Sequence, residues 1–250
     1  EEHYYFELKQ LLQEHFSLFP QKELRLLYNY ALNYSAKKIN FGQSQYYREI
    51  LDLYKILLEH NIIFKNGYLT QWTYINIITA GVRLKEYKWT EHFIHHYKNF
   101  LLPEEQHNVF TYNLAAFYYA KGDLSAALQL LQNVAFTFSF YHVAAKIIQL
   151  KSYYDLDETE AFFALVEAFK KYLQRNKQLP DHQKKSNQNF LKIASKIYDL
   201  RLKKGLIKRS DFQQRHEKLN AQLSKIEPVA NKSWLVECLQ QLMTTDGRYA

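Results

Sequence analysis

Apolar residues recur at steps of three and four along almost the whole chain, the period of a helix buried on one face. From Phe6 the positions Leu8, Leu11, Leu12, Phe16 and Phe19 keep that step, and Pro20, which has no backbone N–H to donate, ends the run. Leu24, Leu27, Tyr28, Ala31, Leu32 and Ser35 share one face of a second helix that runs out near Asn40 and Gly42. A third carries Tyr47, Ile50, Leu51, Tyr54, Leu57 and Leu58 and stops before the turn pair Asn66-Gly67. The same period predicts further helices over 70–85, 89–102, 105–121, 124–136, 140–154, 158–176, 183–204, 210–226 and 231–243. Pro103-Glu104-Glu105 suits a helix start, with proline early and carboxylates at the positive end of the dipole. Asp123, Asp157, Asp181, Ser210 and Asn231 stand where a side-chain oxygen would cap the helix that follows. About twelve helices with short connections predict an all-α fold.

One stretch dissents. Phe136-Thr137-Phe138-Ser139-Phe140-Tyr141 alternates with period two and is rich in strand formers. It is short and has no partner strand, so it reads as a tight helix–helix junction whose phenylalanines fill the groove between neighbours.

Composition narrows the class. Six glycines and four prolines in 250 residues are too few for a turn-rich sandwich or barrel, or for a disordered chain. A lone Cys238, set among Trp234, Leu235 and Leu239, excludes a disulfide framework and reads as a core thiol. No apolar run approaches the ~18 residues of a membrane span. Glu1–Tyr5 show neither the basic start nor the apolar core of a signal peptide, so a cytoplasmic location without membrane partners is the expectation.

The most specific motif is Leu114-Ala115-Ala116-Phe117-Tyr118-Tyr119-Ala120-Lys121-Gly122-Asp123-Leu124-Ser125-Ala126-Ala127-Leu128-Gln129-Leu130-Leu131. Ala115 and Ala127 let two antiparallel helices approach, Gly122 supplies a left-handed turn, and Tyr118 fills the gap between them. This resembles the tetratricopeptide repeat, with Leu131 and Val134 as the large and small residues that follow. Residues 153–165 align 34 positions downstream, setting Ala161 on Ala127 and Leu165 on Leu131. Trp72–Tyr97 aligns upstream at 35 to 37 residues, pairing Asn76 with Asn113 and Phe93 with Leu128. It departs from the pattern at Gly81, where an aromatic belongs, and at His92, where a small residue belongs. These spacings match the family's 34-residue period.

The resemblance implies an α-solenoid of antiparallel helix pairs, a superhelix in which stacked neighbours bury what one pair cannot. The expected organisation is N-terminal helices over 1–69 as degenerate repeats or a cap, repeats over 70–176, basic helices and a cap over 177–243, and a flexible tail at 244–250. It also implies a concave groove lined by the first helix of each pair: Tyr112, Asn113, Ala116 and Tyr119 in the best unit, Lys146, Leu150 and Tyr153 in the next. An asparagine such as Asn113 would then bond the backbone of a bound peptide.

Catalytic signatures are missing: there is no glycine-rich phosphate loop and no nucleophile elbow, so neither an enzyme nor a cofactor is expected. His92 and His96 share a helix face within Glu91-His92-Phe93-Ile94-His95-His96, but no third ligand stands nearby in sequence, so no metal is expected. Charge is more telling. The net +8 arises wholly from residues 170–218, which carry 15 basic and four acidic side chains, against a sum of −3 for residues 1–169. Lys185, Lys192, Lys196 and Lys203 follow steps of seven, four and seven and align on one helix face, with Asp199 interrupting and Lys184, Lys208, Arg209, Arg215 and Lys218 nearby.

Three functions fit. The leading one is a protein–protein interaction scaffold gripping a peptide or protein segment. The alternative is a nucleic-acid-associated repeat protein using the basic 184–218 face. The third is a structural subunit that packs on another part of its own chain.

Overall fold

The computed structural model describes residues 2–132 and 139–244. Among these the chain is all-α, with twelve α-helices: α1 (Glu2–Glu14), α2 (Gln21–Asn40), α3 (Tyr46–Glu59), α4 (Gln71–Arg83), α5 (Tyr87–Tyr97), α6 (Pro103–Lys121), α7 (Leu124–Gln132), α8 (Ser139–Asp155), α9 (Thr159–Arg175), α10 (Asp181–Leu202), α11 (Arg209–Lys225) and α12 (Lys232–Thr244). Each matches one predicted segment. Single 3-10 turns follow α1 and α5. Of the alternating stretch, Ser139, Phe140 and Tyr141 form the first turn of α8, and 136–138 lie outside the described residues. Among the described residues no helix is long and apolar enough to cross a membrane.

The chain divides into two compact units, Glu1–Tyr141 and His142–Ala250, a division that falls inside the 70–176 stretch. In the first unit every helix from α1 to α6 packs on its successor, and α4 also packs on α6, the neighbour-on-neighbour order of a helical repeat. Tyr28, Tyr46, Tyr74, Phe93 and Phe117 are wholly enclosed. The α6–α7 hairpin turns as expected: Gly122 is left-handed at φ 90°, and Ala115 and Ala127 have no exposure. The enclosed ring, however, is Phe117. Tyr118 is half-buried with its hydroxyl toward Glu91.

Helices α4 and α5 cross at Gly81 and Thr90, both buried, and the turn between them is tied to α3 by Glu86, which accepts from Lys55 at 2.8 Å and pairs with Arg48. The Lys55 hydrogen bond, with Arg48 beside it, holds the Glu86 carboxyl below the usual carboxylate range. A carboxylate with a depressed pKa contributes stability above its unfolded pKa and loses it as pH falls through the folded one. Because the pair is solvent-screened, Glu86→Gln is expected to cost at most about 1 kcal/mol at neutral pH. That difference should shrink as pH falls below the usual carboxylate range and Glu86 takes up its proton, as urea melts at neutral and acidic pH would show.

In the second unit α10 packs against α9, α11 and α12, and α11 against α12. Phe162, Phe169, Phe190, Leu191, Ile193, Ile197, Tyr198 and Leu235 form the dry centre. Here the repeat alignment needs correcting. The buried stripe of α9 is Phe162, Val166, Phe169 and Leu173, whereas Ala161 and Leu165 are only half-buried. Phenylalanine has far more surface to hide than alanine, so α9 turns its large residues inward. Cys238 is buried as expected, and loss of hydration pushes its thiol up to about 12.

Of the five expected caps, Asp123 accepts from the Ala126 N–H at 3.0 Å. Asp157 pairs instead with Arg201, Asp181 and Ser210 lie within the first turns of α10 and α11, and the Asn231 side-chain oxygen accepts from Lys151. Long cations reaching from neighbouring helices compete for those oxygens. Thr70 is a further cap, accepting from the Thr73 N–H at 3.1 Å.

Candidate functional site

Two surfaces carry the residues the sequence singled out. In the first unit Asn113 is 2% exposed and donates to the Val109 carbonyl of its own helix at 2.7 Å, so its amide faces inward rather than toward a peptide. A polar side chain inside a helix can donate back to the carbonyl one turn earlier, and does so when its face is enclosed. Ala116 and Tyr119 are half-buried. Tyr112 is half-buried too, its ring 5.4 Å from Tyr141 and 6.4 Å from Phe140, and loss of hydration raises its hydroxyl pKa. Phe140 meets Trp72 edge to face, and both rings are exposed. The Tyr141 hydroxyl donates to Gln71, whose amide donates to Glu105. The result is an aromatic shelf on α4, α6 and the start of α8.

The second-unit candidates of that groove behave differently. Leu150 is wholly buried and belongs to the core. Tyr153 is half-buried against the same core. Lys146 is half-buried, and burial lowers its pKa; His142, one turn earlier, is depressed by the burial of its imidazole and then by the Lys146 charge.

The basic face is built by α10 and α11. Phe190, Ile193, Ala194, Ile197 and Tyr198 turn inward, which leaves Lys185, Lys192, Lys196, Asp199 and Lys203 on the opposite face, with Leu200 buried on the flank toward α11. At 100° per residue the four lysines lie within about 40° of one another and span about 27 Å of axis. Antiparallel α11 answers with Arg215 and Lys218, both exposed. Between the helices runs an open groove of about 180 Å³, walled by Lys196, Lys203, Arg215 and Lys218 and floored by Leu200 and Leu219. Lys196 donates to Gln222 at 2.8 Å across the groove, and Lys203 pairs with Asp199 at 2.6 Å. Lys184 lies 3.5 Å from Asp181. Among the described residues Lys185, Lys192, Lys208, Arg209, Arg215 and Lys218 have no carboxylate partner.

Lys208 and Arg209 stand at the N-terminus of α11, the positive end of its dipole, where cations are disfavoured. The same first turn also carries the carboxylate of Asp211. The phenyl and phenol rings of α10 and α11, Phe190, Tyr198 and Phe212, are all buried, while the His182 ring is exposed and the His216 ring half-buried. The face therefore offers charge over an aliphatic floor, with no phenyl, phenol or indole ring on which a base could stack.

The sequence located the lysine stripe from its spacing, but it did not locate the groove. Arg215 and Lys218 become wall residues only through the antiparallel pairing of α10 with α11. The histidines of α5 are exposed, with the His92 and His96 rings stacked 5.4 Å apart. Among the described residues no group of three or more His, Cys, Asp or Glu side chains is placed to hold a metal ion. No family model, curated protein or solved structure matches the chain.

Proposed function

We propose that this chain is a protein–protein interaction scaffold, built on a tetratricopeptide-like helical repeat and working in the cytoplasm, and that it docks an acidic segment of a partner protein. The observation that carries the proposal is the α10–α11 groove, in which four cations surround two leucines with one carboxylate among them. Carboxylates of a polypeptide satisfy the walls while an aliphatic side chain covers Leu200 and Leu219, a combination of polar rim and apolar centre typical of protein interfaces. The opposing charge steers encounter and fixes register.

The nucleic-acid reading keeps one observation in its favour, the length of the lysine stripe, and the same experiment decides it. A labelled glutamate-rich peptide with interspersed leucines is titrated with the full chain at about 50 mM salt, where phosphate and carboxylate contacts are strongest. The expected result is saturable binding that weakens with salt and drops at least about tenfold in the quadruple variant Lys196→Glu, Lys203→Glu, Arg215→Glu, Lys218→Glu, with its helical content intact by circular dichroism. Tighter binding of generic single-stranded RNA than of the peptide would transfer the face to nucleic acid. Binding of neither ends both readings.

A further inference from the structure

The same groove specifies the conformation of what it takes, an inference that rests on the acidic-segment reading above. We infer that the α10–α11 groove receives an acidic amphipathic α-helix, laid lengthwise along α10 as an added member of the packing around that helix.

Lys185, Lys192, Lys196 and Lys203 are separated by seven, four and seven residues, which on α10 gives rises of about 10, 6 and 10 Å along a single face. A partner must place its carboxylates at matching intervals and all on one side. An extended segment advances about 3.3 Å per residue and alternates its side chains. Its nearest match to those rises is steps of three, two and three residues, and each odd step turns a carboxylate to the wrong face. A helix has the same rise per residue as α10. Acidic residues at its own steps of seven, four and seven therefore meet every lysine from one face, in register from end to end.

Packing agrees with the charge. Helix α12 already covers both α10 and α11. The lysine face lies away from the inward-facing residues of α10, and on it the seam between α10 and α11 is open, with Leu200 and Leu219 at its floor. A helix seated in such a seam at the usual 8–10 Å separation lowers one row of side chains between the two ridges. The groove's 180 Å³ accommodates one large aliphatic side chain, so the floor selects a leucine-sized residue on the partner beside its acidic row. Asp199 sits between Lys196 and Lys203 and already pairs with Lys203, so it repels a carboxylate placed midway. The partner's acidic row is thereby required to skip that position, as the spacing of seven between Lys196 and Lys203 allows.

Two labelled peptides of about 20 residues and the same composition test this. In the first, four glutamates at steps of seven, four and seven flank a leucine row on an alanine-rich helix. The second has the same residues in the same order, but D-amino acids at three positions abolish the helix. With the full chain the helical peptide is expected to bind at least tenfold tighter. A Lys192→Glu/Lys196→Glu/Lys203→Glu variant is expected to lose it and to recover binding of a helical peptide carrying lysine at the four acidic positions. Equal affinity of the helical and non-helical peptides would overturn the helix inference and leave the acidic-segment reading standing. Failure of both peptides would overturn that reading with it. Unchanged binding in the triple variant would show that the contact lies elsewhere on the protein.

Discussion

Phe162→Ala is expected to lower the stability of the second unit by about 3–5 kcal/mol, the range for losing a fully enclosed phenyl ring. The ring has no solvent exposure and stacks on Tyr198 at 4.4 Å, with Tyr154 6.3 Å away. The Tyr198 hydroxyl is in turn hydrogen-bonded to Thr159 at 3.0 Å, one turn before Phe162, so the two helices grip each other at both ends of the stack. The void cannot close easily, because α10 is held by α9, α11 and α12 together. Phe162→Leu keeps part of the volume and should cost clearly less. Ala161→Leu, on the half-buried neighbouring face, should change stability by no more than about 0.5 kcal/mol. Urea unfolding of the three variants, followed by hydrogen exchange in α9 and α10, reads all of this. If Ala161→Leu were the damaging change and Phe162→Ala the mild one, α9 would be rotated into the register that the repeat alignment predicted.

That contrast shows which parts of the fold could be read from the chain. Helix positions were legible because each helix must hide one face, and the three-four step of apolar residues records it locally. Proline and glycine marked the ends, as at Pro20 and Gly122. Rotation of a helix about its own axis was less legible: Tyr118 and Phe117 are adjacent and both aromatic, and only the neighbouring helix decides which is enclosed. Caps failed for a similar reason. Asp157 and Asn231 had the right chemistry at the right place, yet Arg201 and Lys151, 44 and 80 residues away in sequence, took their oxygens. The candidate site divides the same way. Steps of seven, four and seven put the lysines of α10 on one face in the sequence itself, while Arg215, Lys218 and the leucine floor belong to a pairing of helices. Asn113 failed because alignment to a repeat pattern fixes a position along a helix and leaves its burial to the neighbours.

Gly81→Val is expected to destabilise the first unit by about 3 kcal/mol or more, through space alone. A Cβ at Gly81 would lie 2.1 Å from Thr90 Oγ1 and 3.3 Å from Thr90 Cβ, so α4 and α5 could not keep their present approach. The backbone of Gly81 is ordinary helix, unlike Gly122, whose φ of 90° is the reason for glycine and whose surroundings are empty. Thr90 has little room to yield. It has no exposure, and its hydroxyl donates to the Glu86 carbonyl at 2.8 Å, so rotating the hydroxyl away breaks that bond and turns a methyl group into the contact. Gly81→Ala adds one methyl and should cost about 1–3 kcal/mol, even after the roughly 1 kcal/mol that alanine gains over glycine inside a helix. The decisive variant is the double one. Thr90→Ala removes the atoms in the way, so Gly81→Ala/Thr90→Ala should recover most of the loss, with a coupling energy of about 1–3 kcal/mol measured by a double-mutant cycle in urea. Additive losses in that cycle would mean that the methyl meets backbone rather than Thr90. A neutral Gly81→Ala would mean that α4 and α5 separate freely, and then the place where the repeat pattern asks for an aromatic could be filled by a larger residue without penalty.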